Sequence, residues 1–339
     1  MKKEKILVIG SNSFSGSHFV TEALRENHRV WGVSRSPEPD KIFLPYKWSE
    51  NTGKILENSD NFTFKALDLN KDLSELIKLI DDVKPEIIVN FAAQGMVAES
   101  WVNPTHWYQT NVVAQVALHD ELRKRKFIEK YVHVTTPEVY GSTDKGWITE
   151  NNIFNPSTPY AVSRAACDMH LQSFFRTYNF PVIFTRAANV YGPGQQLYRI
   201  IPKTIASALT GKRITLHGGG KSSRSFIHAK DVAKATLTLS LKGEPGSSWH
   251  ISTDKTIEIR ELVEKIFKLC NVDASKYIEI GEERLGKDQN YLLDSKAIRR
   301  LHGWNDTISL DAGLKETLRW ATENIDVIKS LPWQYVHKI

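Results

Sequence analysis

The 339-residue sequence has few cysteines and no long apolar run. Its two cysteines, Cys167 and Cys270, lie far apart in helical patterns, which excludes a disulfide framework and the spacing of a metal site. The eleven histidines form no ligand cluster along the chain. No apolar stretch approaches the roughly 20 residues of a membrane-spanning helix. We therefore expect no membrane segment, no metal and a reducing, cytoplasmic location.

The surplus of positive charge is small and dispersed. Lysine and arginine number 45 against 39 aspartates and glutamates, which gives a formal net charge of +6. The one basic run, residues 123–126, lies at the end of a predicted helix, where cations complement the helix dipole. We therefore expect no nucleic-acid binding, and a doubly charged pyrophosphate ligand explains the surplus equally well.

Short apolar runs alternate with longer helical patterns, the rhythm of a parallel sheet with helices on both faces. Strands are predicted at residues 5–9, 30–33, 62–66, 87–91, 130–135 and 182–186. Helices are predicted at residues 17–27, 73–83, 111–124 and 160–178. This pattern indicates an α/β fold, a doubly wound parallel sheet of the Rossmann type. From Asn189 onward, glycine and proline turns indicate a smaller C-terminal α/β domain.

A glycine-rich loop joins the first strand to the first helix. In that setting a loop offers backbone N–H groups and a helix N-terminus to the pyrophosphate of a dinucleotide. A tight turn with no ligand is the alternative. The residues predicted to bind the cofactor here are Gly10, Ser13, Phe14, Ser15 and Gly16, with Ser13 where a middle glycine is usual.

The end of the second strand carries no acidic residue to accept hydrogen bonds from an adenosine ribose. Ser34 and Arg35 stand there, and a hydroxyl beside a guanidinium suits a 2′-phosphate better, so NADP is favoured over NAD. The alternative is an Arg35 that stacks on adenine or points into solvent. Asp68 and Leu69 close the third strand and are candidates for the adenine edge, although an aspartate there is also a common turn former.

Two motifs carry the chemistry, Thr136-Pro137-Glu138 and Tyr160 with Arg164. Tyrosine ordinarily ionises at about pH 10, so its use as a base near neutrality requires a fixed positive charge close by. Arg164 is four residues along the same helix face. Thr136, Glu138, Tyr160 and Arg164 are therefore the predicted catalytic residues of an enzyme that oxidises a sugar alcohol and removes the neighbouring proton. The alternative is that these residues occupy exposed strand-end or helix positions and have no catalytic role.

These motifs resemble those of the extended short-chain dehydrogenase/reductase family, and within it the nucleotide-sugar 4,6-dehydratases of the GDP-mannose, dTDP-glucose and CDP-glucose type. The resemblance covers nearly the whole chain. The segment Ala92-Ala93-Gln94 with Glu99-Ser100-Trp101 is closer to the GDP-mannose and CDP-glucose branches. The matching segments are the Gly10 loop, Asn90-Phe91-Ala92-Ala93-Gln94, Thr136-Pro137-Glu138-Val139-Tyr140-Gly141, Pro159-Tyr160, Asn189-Val190-Tyr191-Gly192-Pro193 and Arg224-Ser225-Phe226-Ile227-His228 with Asp231.

The resemblance implies a closed redox cycle on a nucleotide sugar. Tyr160 would take the C4 hydroxyl proton while hydride passes from C4 to NAD(P), and Glu138 would take the C5 proton. Water would leave from C6 and the hydride would return there. Further residues implied to bind the cofactor are Ala92, Ala93, Tyr160 and Arg164, and those implied to bind the substrate are Gln94, Asn189, Arg224 and Arg284.

The resemblance also implies the organisation of the chain. Residues 1–186 plus 225–252 would form the NAD(P)-binding domain, and residues 187–224 plus 253–339 the nucleotide-sugar-binding domain. Helices 111–124 and 160–178 would pair with their copies in a four-helix bundle, giving a homodimer. Phe174, Phe175 and Tyr178 would supply apolar surface for it, unless they pack inward.

Several positions depart from the family pattern. Pro137 replaces the aspartic acid that protonates the leaving hydroxyl in the dTDP-glucose type, so Glu138 or a water must do both jobs. Arg164 replaces a lysine, and Gly95 and Met96 alter the sugar pocket. Asn290 stands where another arginine is common. A C4 epimerase, a C4 dehydrogenase or reductase, or a decarboxylase of the same family is therefore the alternative. A catalytically impaired dinucleotide-binding scaffold is the weaker one.

Overall fold

The computed structural model describes residues 2–48, 61–143, 146–282 and 290–338. Its centre is a seven-stranded parallel sheet in the order β3-β2-β1-β4-β5-β6-β11. The doubly wound α/β prediction is confirmed, and β11 is a seventh strand that the sequence pattern did not indicate. The strands of the sheet are β1 Lys5–Ile9, β2 Arg29–Ser34, β3 Phe62–Ala66, β4 Ile87–Asn90, β5 Lys130–Val134, β6 Val182–Ala187 and β11 Ser248–Ile251.

Helices cover both faces of this sheet, and a set of smaller elements follows. The helices are α1 Phe14–Arg25, α2 Leu73–Val83, α3 Val97–Ser100, α4 Pro104–Tyr108, α5 Ala114–Leu122, α6 Pro159–Tyr178, α7 Ile200–Thr210, α8 Ala229–Lys242, α9 Ile259–Leu269, α10 Lys296–His302, α11 Leu310–Glu323 and α12 Ile325–Ser330. The remaining strands are β7 Asn189–Tyr191, β8 Ile214–His217, β9 Ser223–Arg224, β10 Phe226–His228, β12 Ile257–Glu258 and β13 Ile278–Gly281.

Each face of the sheet has its own apolar core, because successive residues of a strand point to opposite sides. Ile6 and Val8 of β1 pack with α1 and α8 on one side. Leu7 and Ile9 pack with α2, α5 and α6 on the other. The sheet is therefore buried on both faces, which explains why its strands read as continuous apolar runs.

Two helices differ from the sequence prediction at their starts. Helix α1 begins before residue 17, because Ser13 Oγ accepts the N–H of Gly16 at 3.1 Å and caps the helix there. The predicted helix over 111–124 is not continuous. A π-helical stretch, Gln109–Val113, joins α4 to α5 and places Asn111 inside the protein.

The smaller elements form a second region with a separate core. The strands pair as β7 with β10, β8 with β13 and β9 with β12. Helices α7, α9, α11 and α12 supply its apolar residues, among them Ile205, Ile266, Leu314 and Ile328. Among the described residues, no helix has both the length and the apolar character needed to cross a bilayer.

Candidate active site

The order of the strands brings three predicted motifs to one edge of the sheet. Gly10 follows β1, Ala92 lies just beyond β4, and Thr136 follows β5, while β1 neighbours β4 and β4 neighbours β5. The strand order reverses between β1 and β4. In doubly wound sheets ligands bind at the carboxyl ends of the strands at such a reversal.

The glycine loop is shaped by close backbone contacts. Gly10 has φ +84°, and a Cβ atom there would lie 2.8 Å from the backbone nitrogen of Ala92. A Cβ atom at Gly16 would lie 2.2 Å from the carbonyl oxygen of Gly10. A larger residue at Gly10 would push the loop away from the segment after β4, and one at Gly16 would push the helix away from the loop. The loop therefore keeps the N-terminus of α1 against the cleft, the arrangement that a dinucleotide pyrophosphate requires.

A cavity of about 360 Å³ adjoins this loop, a size typical of ligand sites. Phe14, Ser15 and Gly16 are not among its lining residues and form the first turn of α1. The predicted cofactor and substrate residues that line the cavity are Gly10, Ser13, Ser34, Arg35, Asp68, Leu69, Ala92, Ala93 and Gln94.

Two of these residues also stabilise loops beside the cavity. Ser34 Oγ accepts the N–H of Asn12 at 2.9 Å, so it holds the glycine loop in place. Asp68 Oδ1 accepts the N–H of Asn70 at 2.9 Å, which makes it the turn former that the sequence left open. Arg35 keeps its guanidinium at the cavity, where Nη1 donates to the carbonyl oxygen of Lys338 at 3.1 Å.

Thr136, Glu138 and Tyr160 come together beyond β5. Thr136 is buried, and its Oγ1 accepts the N–H of Glu138 at 3.3 Å. Burial raises the pKa of Tyr160 above its ordinary value, and the charge of Glu138 raises it further. The charges of Arg164 and Arg199 and hydrogen bonding with Thr136 oppose the rise without cancelling it. Arg164 therefore lowers the pKa of the phenol, as expected, but the pKa stays above its ordinary value.

Arg164 is buried, with 2% of its surface exposed. Its Nη2 atom donates to the carbonyl oxygen of Val134 and lies 3.4 Å from Nε2 of His133. Within the described part of the chain, its Nε and Nη1 atoms are buried and have no hydrogen-bond partner. Buried guanidinium donors are costly to leave unpaired. Arg164 is not among the residues that line the cavity, so in this structure these donors lie beneath its wall.

A cluster of buried charged and polar residues lies next to Arg164. Asp168 lies one helical turn further along α6, and its Oδ2 accepts from Arg186 Nη2 at 2.7 Å and from Thr135 Oγ1 at 3.1 Å. Burial by itself would raise the pKa of Asp168, yet the charge of Arg186 and a hydrogen bond with His133 hold it below its ordinary value. Burial lowers the pKa of His133, which keeps that imidazole neutral beside Arg164.

The predicted substrate residues lie in or near the second region. Asn189 begins β7 and is half-buried. Arg224, with 9% of its surface exposed, donates from Nη1 to the carbonyl oxygen of Ser223 at 2.8 Å, and its guanidinium lies 4.9 Å from the ring centre of Tyr291. Arg284 lies outside the described residues.

Residues 7–317 match the family model described as GDP-mannose 4,6 dehydratase. The chain belongs to this family. The resemblance inferred from the sequence motifs is therefore confirmed, and the site above is that of a 4,6-dehydratase-family protein.

Two relatives and one solved structure illustrate the similarity. The chain is 30% identical over 327 residues to a trifunctional UDP-glucose 4,6-dehydratase/UDP-4-keto-6-deoxy-D-glucose 3,5-epimerase/UDP-4-keto-L-rhamnose-reductase of Arabidopsis thaliana, covering 95% of this chain but only 47% of that protein. It is 30% identical to the dTDP-D-glucose 4,6-dehydratase of Homo sapiens, covering 95% of this chain and 91% of that protein. The fold matches that of DesIV, a dTDP-glucose 4,6-dehydratase from Streptomyces venezuelae with NAD and TYD bound, with a TM-score of 0.84, 29% identity, and coverage of 95% and 98% of the two chains.

Asn111 is a polar residue of this family member that the sequence pattern did not single out. It is fully buried, and its Oδ1 accepts the N–H of Gln94 at 2.7 Å. Its Nδ2 donates to the carbonyl oxygen of Gln94 and to Ser163 Oγ, both at 3.0 Å. Ser163 Oγ donates in turn to the carbonyl oxygen of Tyr160 at 2.7 Å. Asn111 thus connects the loop after β4 to the helix that carries Tyr160.

The fold brings together three potential metal ligands that lie apart in sequence, contrary to the expectation of no ligand cluster. The ligand atoms of His119, His133 and Cys167 lie within 4.8 Å of one another, and all three residues are buried. Burial raises the pKa of the Cys167 thiol to about 12, and the hydroxyl of Tyr131 takes up Nε2 of His119 in a hydrogen bond at 2.8 Å. We interpret these residues as part of the packed polar interior behind Arg164.

Proposed function

We propose that this chain is an NAD(P)-dependent nucleotide-sugar 4,6-dehydratase, which forms a 4-keto-6-deoxy sugar nucleotide. The observation that carries the proposal is the position of Glu138 beside Tyr160 and Thr136, close enough for its charge to raise the pKa of the phenol. Alcohol oxidation at C4 needs only Tyr160, Thr136 and the nearby cation Arg164. A second, basic group beside them is what proton removal at C5 requires.

The cofactor would be held by the glycine loop and by the residues lining the cavity. When bound, the dinucleotide supplies redox chemistry by taking hydride from C4 and giving it back at C6. Gly10 and Gly16 would keep the loop and the helix N-terminus in place for the pyrophosphate, because a side chain at either position would meet protein backbone atoms. Arg164 would turn its Nε and Nη1 donors, which are buried in this structure, toward the nicotinamide ribose.

Tyr160 would take the proton of the C4 hydroxyl. Because its pKa is raised, the phenol of Tyr160 keeps its proton near neutral pH in this structure. Two cations, Arg164 and Arg199, favour loss of that proton, and hydrogen bonding with Thr136 stabilises the phenolate. Thr136 can at the same time orient the substrate hydroxyl, since its oxygen already accepts from the backbone of Glu138.

Glu138 would then move one proton from C5 to the leaving hydroxyl. The ketone at C4 acidifies C5–H, and the Glu138 carboxylate accepts that proton. Pro137 has no proton to give, so the protonated Glu138 donates to the C6 hydroxyl, which departs as water. Hydride return to C6 and protonation of C5 complete the product, and the proton that Tyr160 took balances the one that C5 regains.

The nucleotide end of the substrate would meet Asn189, Arg224 and Arg284. Arg224 supports this role because a guanidinium held over an aromatic ring keeps planar donors for a diphosphate. In this arrangement residues 1–186 plus 225–252 bind the dinucleotide and residues 187–224 plus 253–339 bind the nucleotide sugar. The two relatives carry UDP-glucose and dTDP-glucose in their names, and we propose a glucose-configured hexose on this ground.

We also propose that NADP is preferred over NAD. The support is Arg35, whose guanidinium borders the cavity at the end of β2 with no carboxylate on the adjoining Ser34. Isothermal titration of both dinucleotides with the native enzyme and with Arg35→Ala tests this. We expect the variant to lose affinity for NADP and to keep its affinity for NAD. Equal losses for both would refute the preference.

A homodimer through α5 and α6 is proposed as the assembly. Phe174 and Phe175 pack inward against the core, but Val162 and Met169 project from the same helix with 37% and 53% of their surface exposed. Val113, on the adjoining π-helical stretch, is 54% exposed. Light scattering should give twice the chain mass for the native protein and a monomer for Met169→Lys. Unchanged mass in that variant would count against this interface.

The function is tested by incubating the enzyme with NAD(P) and a panel of UDP-, dTDP-, GDP- and CDP-hexoses. We expect a product lighter by one water from at least one of them, with no net reduction of the dinucleotide. The variant Glu138→Gln should lose this product and accumulate reduced dinucleotide instead, whereas Glu75→Gln, an exposed carboxylate on α2, should behave as the native enzyme. A product of unchanged mass would indicate an epimerase, and released carbon dioxide a decarboxylase.

A further inference from the structure

Residues 331–338, which we name the strap, follow α12 in an extended conformation. Leu331, Trp333, Tyr335 and His337 are half-buried, and the residues between them are exposed. This alternation is that of an extended chain with one face lying on the protein. The strap is therefore attached along its length.

Side chains fix the first half of the strap to the second region. The indole Nε1 of Trp333 donates to the carbonyl oxygen of Ile328 at 2.9 Å, and the ammonium of Lys212 lies 4.2 Å from the ring centre of Trp333. The ring of Tyr335 meets that of Tyr198 edge to face, with ring centres 5.4 Å apart. The charges of Arg35 and Arg199 both act on the phenol of Tyr335, which places this part of the strap near those two arginines.

His337 fixes the second half to the cofactor side of the cleft. Its ring lies nearly parallel to those of His106 and Trp107 on α4, with ring centres 5.1 Å apart in both pairs. Nε2 of His337 and Nδ1 of His106 share a hydrogen bond at 2.9 Å. Helix α4 leads directly into the π-helical stretch that carries Asn111, the residue that holds Gln94.

The carbonyl oxygen of Lys338 joins two sides of the cofactor cavity. It accepts from Gln94 Nε2 at 2.8 Å and from Arg35 Nη1 at 3.1 Å. Gln94 follows β4 and Arg35 follows β2, and the cavity between them is lined by Lys338 as well. The carbonyl oxygen of Lys338 therefore links the loop after β4 to the end of β2.

This contact leaves space and donors for a ligand. Each bond uses a single N–H, and an arginine side chain has five such donors and a glutamine side chain two. The cavity of about 360 Å³ persists with Lys338 in its wall. Lys338 thus forms part of the cavity wall without filling the cavity.

We propose that the strap is a structural part of the dinucleotide site, which slows the release of bound cofactor, and that His337 is the positioning residue that keeps the Lys338 carbonyl on Arg35 and Gln94. This inference rests on the proposed function, since it takes the Gly10 cavity as the NAD(P) site. It gives His337 a role in cofactor retention without contact with the reacting atoms.

The test is the rate at which bound NADH or NADPH leaves the enzyme, followed by the loss of its fluorescence after an excess of oxidised dinucleotide is added. His337→Ala should accelerate release about tenfold, because one stacking arrangement and one hydrogen bond are lost. His337→Phe keeps the stacking and should fall between His337→Ala and the native enzyme. Val336→Ala, which changes an exposed side chain of the same strap, should leave the rate unchanged.

The two proposals fail in different ways. If the native enzyme binds no reduced dinucleotide, the proposed function fails. If it binds and His337→Ala releases cofactor at the native rate, only the strap proposal is overturned. Slower release from His337→Ala would also overturn it, since the strap would then compete with the cofactor. Circular dichroism and the unfolding midpoint of each variant establish that the fold is intact.

Discussion

The glycine loop after β1 and the catalytic group after β5 lie at the same edge of the sheet but are held in different ways. The loop depends on backbone contacts, since a Cβ atom at Gly16 would lie 2.2 Å from the Gly10 carbonyl. The catalytic group depends on buried charge, since Arg164 lies beside His133, which in turn contacts the buried Asp168–Arg186 ion pair. Backbone shape therefore positions the glycine loop, and buried charge positions the catalytic group. Changes on one side should leave the other largely intact.

The largest effect is expected from removal of the phenol. Tyr160→Phe deletes the group that takes the C4 proton, so the rate of nicotinamide reduction in a single turnover should fall about a thousandfold. Cofactor affinity should stay near the native value, because the glycine loop is unchanged. Tyr178→Phe, at the exposed end of the same helix, serves as the control. A comparable loss of cofactor affinity in Tyr160→Phe would contradict the separation of the two sides.

The next effect concerns the buried charges. Asp168→Asn removes the one carboxylate between Arg186 and His133, so we expect the free energy of unfolding to fall by about 3–5 kcal/mol. Denaturant unfolding measures this. Asp326→Asn, whose side chain is 96% exposed, should cause little change. Because the pKa of Asp168 is lowered in the folded protein, its contribution is present at neutral pH and is lost as the pH falls through that lowered value.

An additional methyl group tests the loop itself. Gly16→Ala forces the Cβ atom against the Gly10 carbonyl, and we expect dinucleotide affinity to fall about tenfold to a hundredfold. Gly95→Ala is the matched control, because among the described residues no heavy atom beyond its own and those of its two chain neighbours lies within 4 Å of its Cβ position. Titration calorimetry compares the two. Similar affinities for both variants would mean that the close contact does not shape the site.

The smallest stepwise effect is the pH dependence of C4 oxidation. Burial raises the pKa of Tyr160, so the phenolate fraction grows as the pH rises and the single-turnover rate should increase by up to about tenfold per pH unit below that pKa. Arg164→Gln removes a charge that lowers this pKa and should shift the profile to higher pH. A profile that is flat in both enzymes would indicate a different base.

Local patterns in the sequence predicted most of the sheet and the glycine loop. A strand, a glycine turn and a helix leave a signal within about 20 residues, and the spacing of Tyr160 and Arg164 already placed both on one helix face. Asp168 follows the same spacing. Its partner Arg186 comes from another strand, however, so this ion pair exists only after the sheet has formed.

The parts that the sequence did not indicate depend on tertiary contacts. The π-helical stretch around Asn111 has the same apolar pattern as an uninterrupted helix. The strap contains no motif of its own, and the role proposed for it rests on where α12 directs it. Burial raises the pKa of Tyr160 more than the nearby cations lower it, and the spacing of residues in the sequence does not reveal this balance.

The closed redox cycle is tested most directly with a nucleotide hexose that carries deuterium at C4. We expect a product that has lost one water and carries the deuterium at C6, because the hydride taken from C4 is returned to C6 within the same active site. Product of unchanged mass, or deuterium recovered in the released dinucleotide, would contradict it.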